Sequence, residues 1–352
     1  MESVAGLVTN ELERWRTSAV EEKIFGTGDP DWIGEIVGRF CLDQLGSKPA
    51  QGLFYRSSVG CVFGMRLATG IDVVVKVYQD RWTTSFLTAI QSVQRHLGRR
   101  GFPCPTPLFS ARPLMPGRPN LVTAETWLSD PGMTVPTGSR ARSVSAAGLA
   151  RQIDWCRDIT ELSALKDHPL RPPVGQLYPE PHSPLFDFDA TADSAEWIDE
   201  FTTQAARQRE YDDGPPVAAH TDWSARNVRL GDEAVLAIYD WDSMALVRES
   251  TAVGQAAATW SVTSEPGGSD FPSVFEVAAF LRDYETAADR PLTDAQWQAA
   301  GAAATGVLAY TARCEHALAM TGRARQDQRG ARDRLTHDGE TLLDLHRAFG
   351  NP

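Results

Sequence analysis

Cysteine is scarce in this chain and none of it is arranged for chemistry. The 352 residues hold five, Cys41, Cys61, Cys104, Cys156 and Cys314, an odd number with no C-x-x-C pair. That argues against a disulfide framework or a cysteine zinc site and predicts reduced thiols in a cytoplasmic protein. Long apolar runs are also missing, and none approaches the roughly 18 residues of a membrane-crossing helix. The first residues, Met-Glu-Ser-Val-Ala-Gly, carry no basic segment ahead of an apolar core, so no secretory leader is expected. Basic charge is in deficit: 34 Lys and Arg stand against 46 Asp and Glu, a net charge of -12. A nucleic-acid partner would call for basic faces instead. An acidic surface is compatible with a cationic small molecule, although acidity also serves solubility alone. No G-x-x-x-x-G-K-[ST] occurs, which disfavours a P-loop enzyme. No internal repeat is visible, and nothing sets the oligomeric state.

What is present is an ordinary soluble composition, 42% hydrophobic and 23% charged, in a chain long enough for two cores. Apolar spacing predicts helices over 6–19 and 31–45. Leu53–Gly60, Cys61–Leu67 and Ile71–Tyr78 read as an antiparallel meander with turns at Gly60 and Ala68-Thr-Gly70. A helix follows from Ser85 to Arg100, then a break at Gly101-Phe-Pro-Cys-Pro, a strand over Asn120–Trp127 and a loop over Asp130–Gly138. Further helices are expected over 145–165, 193–209, 252–262, 273–287, 293–320 and 330–348. The proline-rich stretch 168–184 reads as a loop over a cleft or a surface connection. The implied organisation is a helical extension over 1–50, a β-rich unit over 51–128 and a helical unit over 129–352.

The chemistry concentrates in His220-Thr-Asp-Trp-Ser-Ala-Arg-Asn227, followed by an apolar strand that ends at Asp240. H-x-D-x-x-x-x-N, then a strand, then an acid, is a phosphoryl-transfer layout. A carboxylate at a loop tip, Asp222, can orient an acceptor hydroxyl and take its proton. Asn227 offers a neutral oxygen and Asp240 a charged one, which suits Mg²⁺, a cation that takes few protein ligands besides phosphates. His220 is expected to brace the loop. Asp and Asn also favour turns for their own reasons, so the motif alone is a hypothesis.

Lys76 stands in Val73-Val-Val-Lys-Val-Tyr78, a β-branched run. A lysine in a buried strand needs an anion, and nucleotide phosphates are a natural one; on an edge strand it would only snorkel to water. Val59-Gly60-Cys-Val-Phe-Gly64 would be a turn over the phosphates or an ordinary hairpin, since it is not G-x-G-x-x-G.

In this order, the Lys76 strand, the helix from Ser85, the Gly101-Phe-Pro-Cys-Pro break, Thr123-Ala-Glu-Thr-Trp-Leu128, the His220–Asn227 loop and Ile238-Tyr-Asp-Trp-Asp242 resemble the aminoglycoside phosphotransferase family, relatives of the choline kinases, over roughly 50–320. The resemblance implies an α+β, protein-kinase-like fold. It has a small β-rich lobe, a hinge near Glu125–Leu128 and a larger helical lobe. It implies an ATP-dependent transfer to a hydroxyl of a small molecule, an aminoglycoside-like antibiotic or another metabolite. Asp222 would be the base, with Asn227 supporting it, and Asn227 and Asp240 would hold Mg²⁺. Lys76, Gly60, Glu125 and Trp127 would contact ATP. The alternative is a kinase-like nucleotide-binding regulatory module.

Several positions depart from the family pattern. Thr221 and Arg226 stand where glycine is usual, and Ala252 lies near the place of a further aspartate. The helix after Lys76 lacks its expected acid, since none occurs between Thr83 and Arg100; Gln91 or Gln94 is the nearest substitute. Trp223 reads as packing under the loop, or alternatively as facing the acceptor. Asp242, Trp260, Glu265, Asp270 and Glu315 are acceptor-side candidates that the sequence does not distinguish.

Overall fold

The computed structural model describes residues 2–128, 136–181, 183, 185–263, 271–322 and 330–350. Most of the loop expected over 130–138, together with Glu265 and Asp270, lies outside them. The chain divides into two compact units. One comprises Met1–Arg95, Pro105–Leu128 and His182–Leu185; the other comprises His96–Cys104, Ser129–Pro181 and Phe186–Pro352.

The first unit opens with three helices, α1 (Val4–Trp15), α2 (Ala19–Phe25) and α3 (Pro30–Leu45). The helix expected over 6–19 is α1, which stops at Trp15, and α2 was not expected. Arg16 takes a left-handed conformation, φ 53°, and ends α1 there, a stop that apolar periodicity cannot signal. The start of α3 was legible: Asp29 accepts from the amides of Asp31 and Trp32, and Pro30 occupies the first turn. The strands are β1 (Pro49–Ser57), β2 (Gly60–Leu67), β3 (Asp72–Tyr78), β4 (Arg112–Pro113) and β5 (Leu121–Thr126), with α4 (Thr84–Arg99) after β3. They form one antiparallel sheet in the order β1-β2-β3-β5-β4.

Period-2 alternation gives this sheet two unlike faces. Val73, Val75 and Val77 of β3 join Phe63, Met65 and Val122 in a buried core with Val8, Ile33, Val37 and Phe40 from the N-terminal helices. Residues 1–50, read from sequence as a separate extension, therefore share a core with the strands. Lys76 occupies the opposite face. Gly60, the first residue of β2, faces Tyr78, and a Cβ there would lie 2.8 Å from the Val77 carbonyl oxygen, so the close pairing of β2 with β3 requires glycine.

The second unit contains α5 (Gly138–Cys156), α6 (Glu196–Arg209), the short strands β6 (Pro216–His220), β7 (Val228–Leu230), β8 (Val235–Ile238) and β9 (Met244–Arg248), then α7 (Glu249–Thr259), α8 (Val274–Ala288), α9 (Asp294–Met320), α10 (Gly330–Leu343) and α11 (Leu345–Phe349). Strands pair as β6 with β9 and β7 with β8, both antiparallel. The sequence reading missed β9, because Met-Ala-Leu-Val-Arg runs into α7 without a breaker. The helix expected over 145–165 stops at Cys156, and a 3₁₀ turn, Ser163–Asp167, follows. The helix expected over 330–348 is interrupted at Asp344. Helices α8 and α9 begin at reciprocal side-chain caps, Ser273 with Glu276 and Thr293 with Gln296.

Helix α9 spans 27 residues and packs against α6, α7 and α10. Its alanines and Gly254 of α7 allow a close crossing: a Cβ on Gly254 would lie 2.0 Å from the Ala300 carbonyl oxygen. Gly254→Ala should therefore push the helices apart and cost about 1–3 kcal/mol. Denaturant unfolding would show this as a lower midpoint with an unchanged slope.

Glu315 of α9 is committed to the fold. Its carboxylate accepts the amides of Ala331 (3.1 Å) and Arg332 (3.0 Å) in the first turn of α10. Burial pushes its pKa up to about 7, against the opposing pull of those amides. A raised folded-state pKa means that the folded chain binds more proton than the unfolded chain between the ordinary value of 4.5 and about 7. Stability linked to Glu315 is therefore full below that window and lost as pH rises through it. The loss should be on the order of 3 kcal/mol at most. Thermal unfolding at both ends of the window should show a smaller pH-dependent drop for Glu315→Gln than for the wild type.

Candidate active site

The 220–227 loop connects β6 to β7, and Asp240 follows the β7–β8 hairpin. Asp222 is half-buried and both of its carboxylate oxygens have partners. Asn227 Nδ2 donates to Oδ2 at 2.8 Å and to the Asp222 carbonyl at 3.1 Å, and Ser224 Oγ donates to Oδ1 at 3.2 Å. Backbone bonds from Ser224 N to the Asp222 carbonyl and from Asn227 N and Val228 N to the Ser224 carbonyl wind the loop into a tight turn. The structure brings Asp222 and Asn227 together; the sequence reading did not single out Ser224, whose side chain is fully buried. Its place two residues after the aspartate is the one signal that could have found it.

Asp240 follows β8 in the left-handed conformation, φ 58° and ψ 49°, and leads into a 3₁₀ turn over Trp241–Ser243. That conformation is uncommon outside glycine, and aspartate tolerates it better than most residues. The loop and the Asp240 turn are tied by several hydrogen bonds. Tyr239 N donates to the Asn227 carbonyl at 2.8 Å, and Thr221 N donates to the Ser243 carbonyl at 3.0 Å. Thr221 Oγ1 also donates to the Ser243 carbonyl, at 2.7 Å. His220 Nε2 lies 2.9 Å from the Tyr239 carbonyl, which fixes the proton on that nitrogen. The hydroxyl at 221, where glycine was the usual residue, thus has a structural task. His220 braces the site as expected, fully buried with its ring edge-on to Trp223 and Trp241.

Two helices support this cluster. Gln152 of α5 spans β6, donating to the Ala218 carbonyl at 3.1 Å and accepting from His220 N at 3.1 Å. Trp223 is fully buried, and its indole donates to Ser145 of α5 at 3.0 Å. Thr259 of α7 donates to the Trp223 carbonyl at 3.3 Å. Trp223 therefore packs under the loop. Trp260 is buried as well. Asp242 is half-buried in the 3₁₀ turn, its carbonyl 3.2 Å from His168 Nε2.

Arg226 is exposed, and its carbonyl accepts from Arg229. Ala252 sits in a wholly buried stretch of α7.

For a divalent cation the donor set fits. Asn227 Nδ2 faces Asp222, which turns its amide oxygen away from that carboxylate, and Asp240 adds a charged oxygen. Among the described residues no group of three or more His, Cys, Asp or Glu could hold a metal by itself. A site of one amide and one carboxylate depends on further oxygens from a ligand, which is the habit of Mg²⁺.

In the other unit, Lys76 is buried on β3, and its Nζ lies 3.7 Å from Glu125 Oε1 on β5. Gln94 Nε2 of α4 donates to Glu125 Oε2 at 3.0 Å. The β-branched run is a central strand, paired on both sides, as expected of a buried lysine that needs an anion. Gly60 lies at the β1–β2 hairpin, where Ser58 and Val59 form the tip. Trp127 follows β5, its ring 5.7 Å from that of Phe54.

None of the five cysteines forms a disulfide, and all are buried. Burial pushes the thiols of Cys41 and Cys156 up to about 12, so they are inert. Among the described residues no helix is long and apolar enough to cross a membrane.

No protein-family model and no curated protein matches the sequence. Solved structures do match in fold. One is an amicoumacin kinase in complex with AMP-PNP and Ca²⁺, 11% identical, with a TM-score of 0.61 over 87% of this chain and 93% of that one. Another is a spectinomycin phosphotransferase, APH(9)-Ia, in complex with ADP and spectinomycin, 14% identical, with a TM-score of 0.51 over 90% of this chain and 98% of that one. A small antiparallel sheet unit and a mostly helical remainder give this chain the protein-kinase-like fold of the aminoglycoside phosphotransferases.

Proposed function

We propose that this chain is an ATP-dependent phosphotransferase acting on a hydroxyl of a small molecule. The observation that carries the reading is the Asp222 carboxylate, held by Asn227 and Ser224 and linked through the backbone to Asp240. A carboxylate so held can accept the hydrogen bond of an acceptor hydroxyl and take its proton as the phosphoryl group transfers. Asn227 then serves twice, steadying Asp222 with its nitrogen and offering its oxygen with Asp240 to Mg²⁺. A divalent cation bound there would neutralise charge on the β- and γ-phosphates. In the sheet unit we assign Lys76, Gly60, Glu125 and Trp127 to the nucleotide. Fixed groups of this kind lower the barrier by positioning and electrostatics.

For the acceptor, the net charge of -12 suits a cationic molecule. The amicoumacin and spectinomycin kinases of the same fold make an antibiotic hydroxyl one choice, with resistance as the role; a metabolic alcohol is the other. The cytoplasm is the proposed location, in keeping with five cysteines that form no disulfide. A regulatory nucleotide-binding module was suggested by the missing helix acid, but Lys76 has a carboxylate partner in Glu125. That contact favours the enzyme.

Asp222→Ala should lower ADP release with an acceptor by about 10²- to 10⁴-fold. Stabilisation of the variant by Mg·ATP in a thermal-shift assay should persist. Turnover equal to wild type would remove Asp222 from the chemistry. Nucleotide binding by the wild type, without turnover across a panel of hydroxylated antibiotics and metabolites, would favour the regulatory module.

A further inference from the structure

The face of the sheet that carries Lys76 also carries an acid that comes from a strand. In the β3–β5 register, Lys76 stands opposite Thr123 and Glu125 stands opposite Val74. Lys76 and Glu125 are thus diagonal neighbours on one face, within reach for two long side chains. The contact is made, Nζ to Oε1 at 3.7 Å, with the side chains 6% and 12% exposed. The second carboxylate oxygen is taken by Gln94 Nε2 at 3.0 Å. The other glutamine of α4, Gln91, is turned elsewhere and donates to the Phe109 carbonyl at 2.9 Å.

We infer that Glu125 is the positioning residue for Lys76, supplying from β5 the negative charge that α4 lacks. Gln94 acts through Glu125 by fixing the orientation of its carboxylate. The inference rests on the nucleotide-binding role proposed for Lys76, and it moves Glu125 from contacting the nucleotide to aiming the lysine. The mechanical consequence is specific. An acid on a helix holds its lysine only while the helix is docked. Here lysine and acid sit on two strands joined by backbone hydrogen bonds, so the pair does not depend on where α4 lies. The helix contributes a neutral amide, a weaker hold than a charged group would give.

Calorimetric titration with Mg·AMP-PNP tests this on the full chain, with thermal unfolding in the absence of nucleotide as a check on folding. Glu125→Gln keeps the shape and removes the charge, and should weaken binding about tenfold. Gln94→Ala should weaken it by about threefold or less, since it removes one neutral donor. The double variant Glu125→Gln/Gln94→Glu moves the acid to α4 and should recover most of the loss. A purely structural role for Glu125 would not produce that recovery, and the double variant also serves if Glu125→Gln alone folds poorly. Unchanged binding by folded Glu125→Gln, or Gln94→Ala as damaging as Glu125→Gln, or no recovery in the double variant, would overturn the inference while leaving the phosphotransferase reading standing. No nucleotide binding by the wild type would overturn both.

Discussion

The candidate site depends on one arrangement, the bonding of the 220–227 loop to the 239–243 turn. His220 and Thr221 donate to the Tyr239 and Ser243 carbonyls, and Tyr239 N returns a bond to Asn227. These groups are buried or half-buried, where an unmade hydrogen bond is costly. The relative placing of Asp222 and Asp240 is therefore set by backbone geometry, and neither carboxylate has to hold the other.

The support runs outward in shells of increasing hydrophobicity. Gln152 and Ser145 of α5 engage the loop from one side and Thr259 of α7 from another. The rings of Trp223 and Trp241 enclose His220. Behind α7, the close crossing at Gly254 fixes it on α9, whose alanines admit neighbours on several sides. A displacement of α9 would thus reach Asp222 through α7 and Trp223. Buried polar networks of this kind hold one geometry because every alternative leaves groups unpaired.

What could be read from sequence follows from range. The meander and Lys76 were legible because two-residue alternation is a local property. The loop motif was legible because its spacing encodes one turn of chain. Features that depend on a distant partner were not. Met244–Arg248 becomes a strand only against β6. Glu125 opens the expected hinge, and its contact with Lys76 follows from a register that the sequence does not display. Glu315 looked like an acceptor-side acid because nothing local says that the first turn of α10 docks on it. Local signals also failed where a non-glycine residue adopts a left-handed cap, as Arg16 does.

Asp240 combines both limits. Its left-handed backbone costs on the order of 1–3 kcal/mol for a non-glycine residue. Glycine would adopt φ 58° freely, and the surrounding turn would accept it: Ser243 N bonds to the Asp240 carbonyl and Trp241 Nε1 to the Ile238 carbonyl, neither requiring a side chain at 240. Strain kept where glycine would remove it points to the carboxylate as the reason. Lys76 differs, because its buried charge is matched by Glu125 and a valine there would leave that acid without its cation. The proposed function gives the Asp240 carboxylate a use that would offset its backbone cost, as an oxygen ligand for a divalent cation.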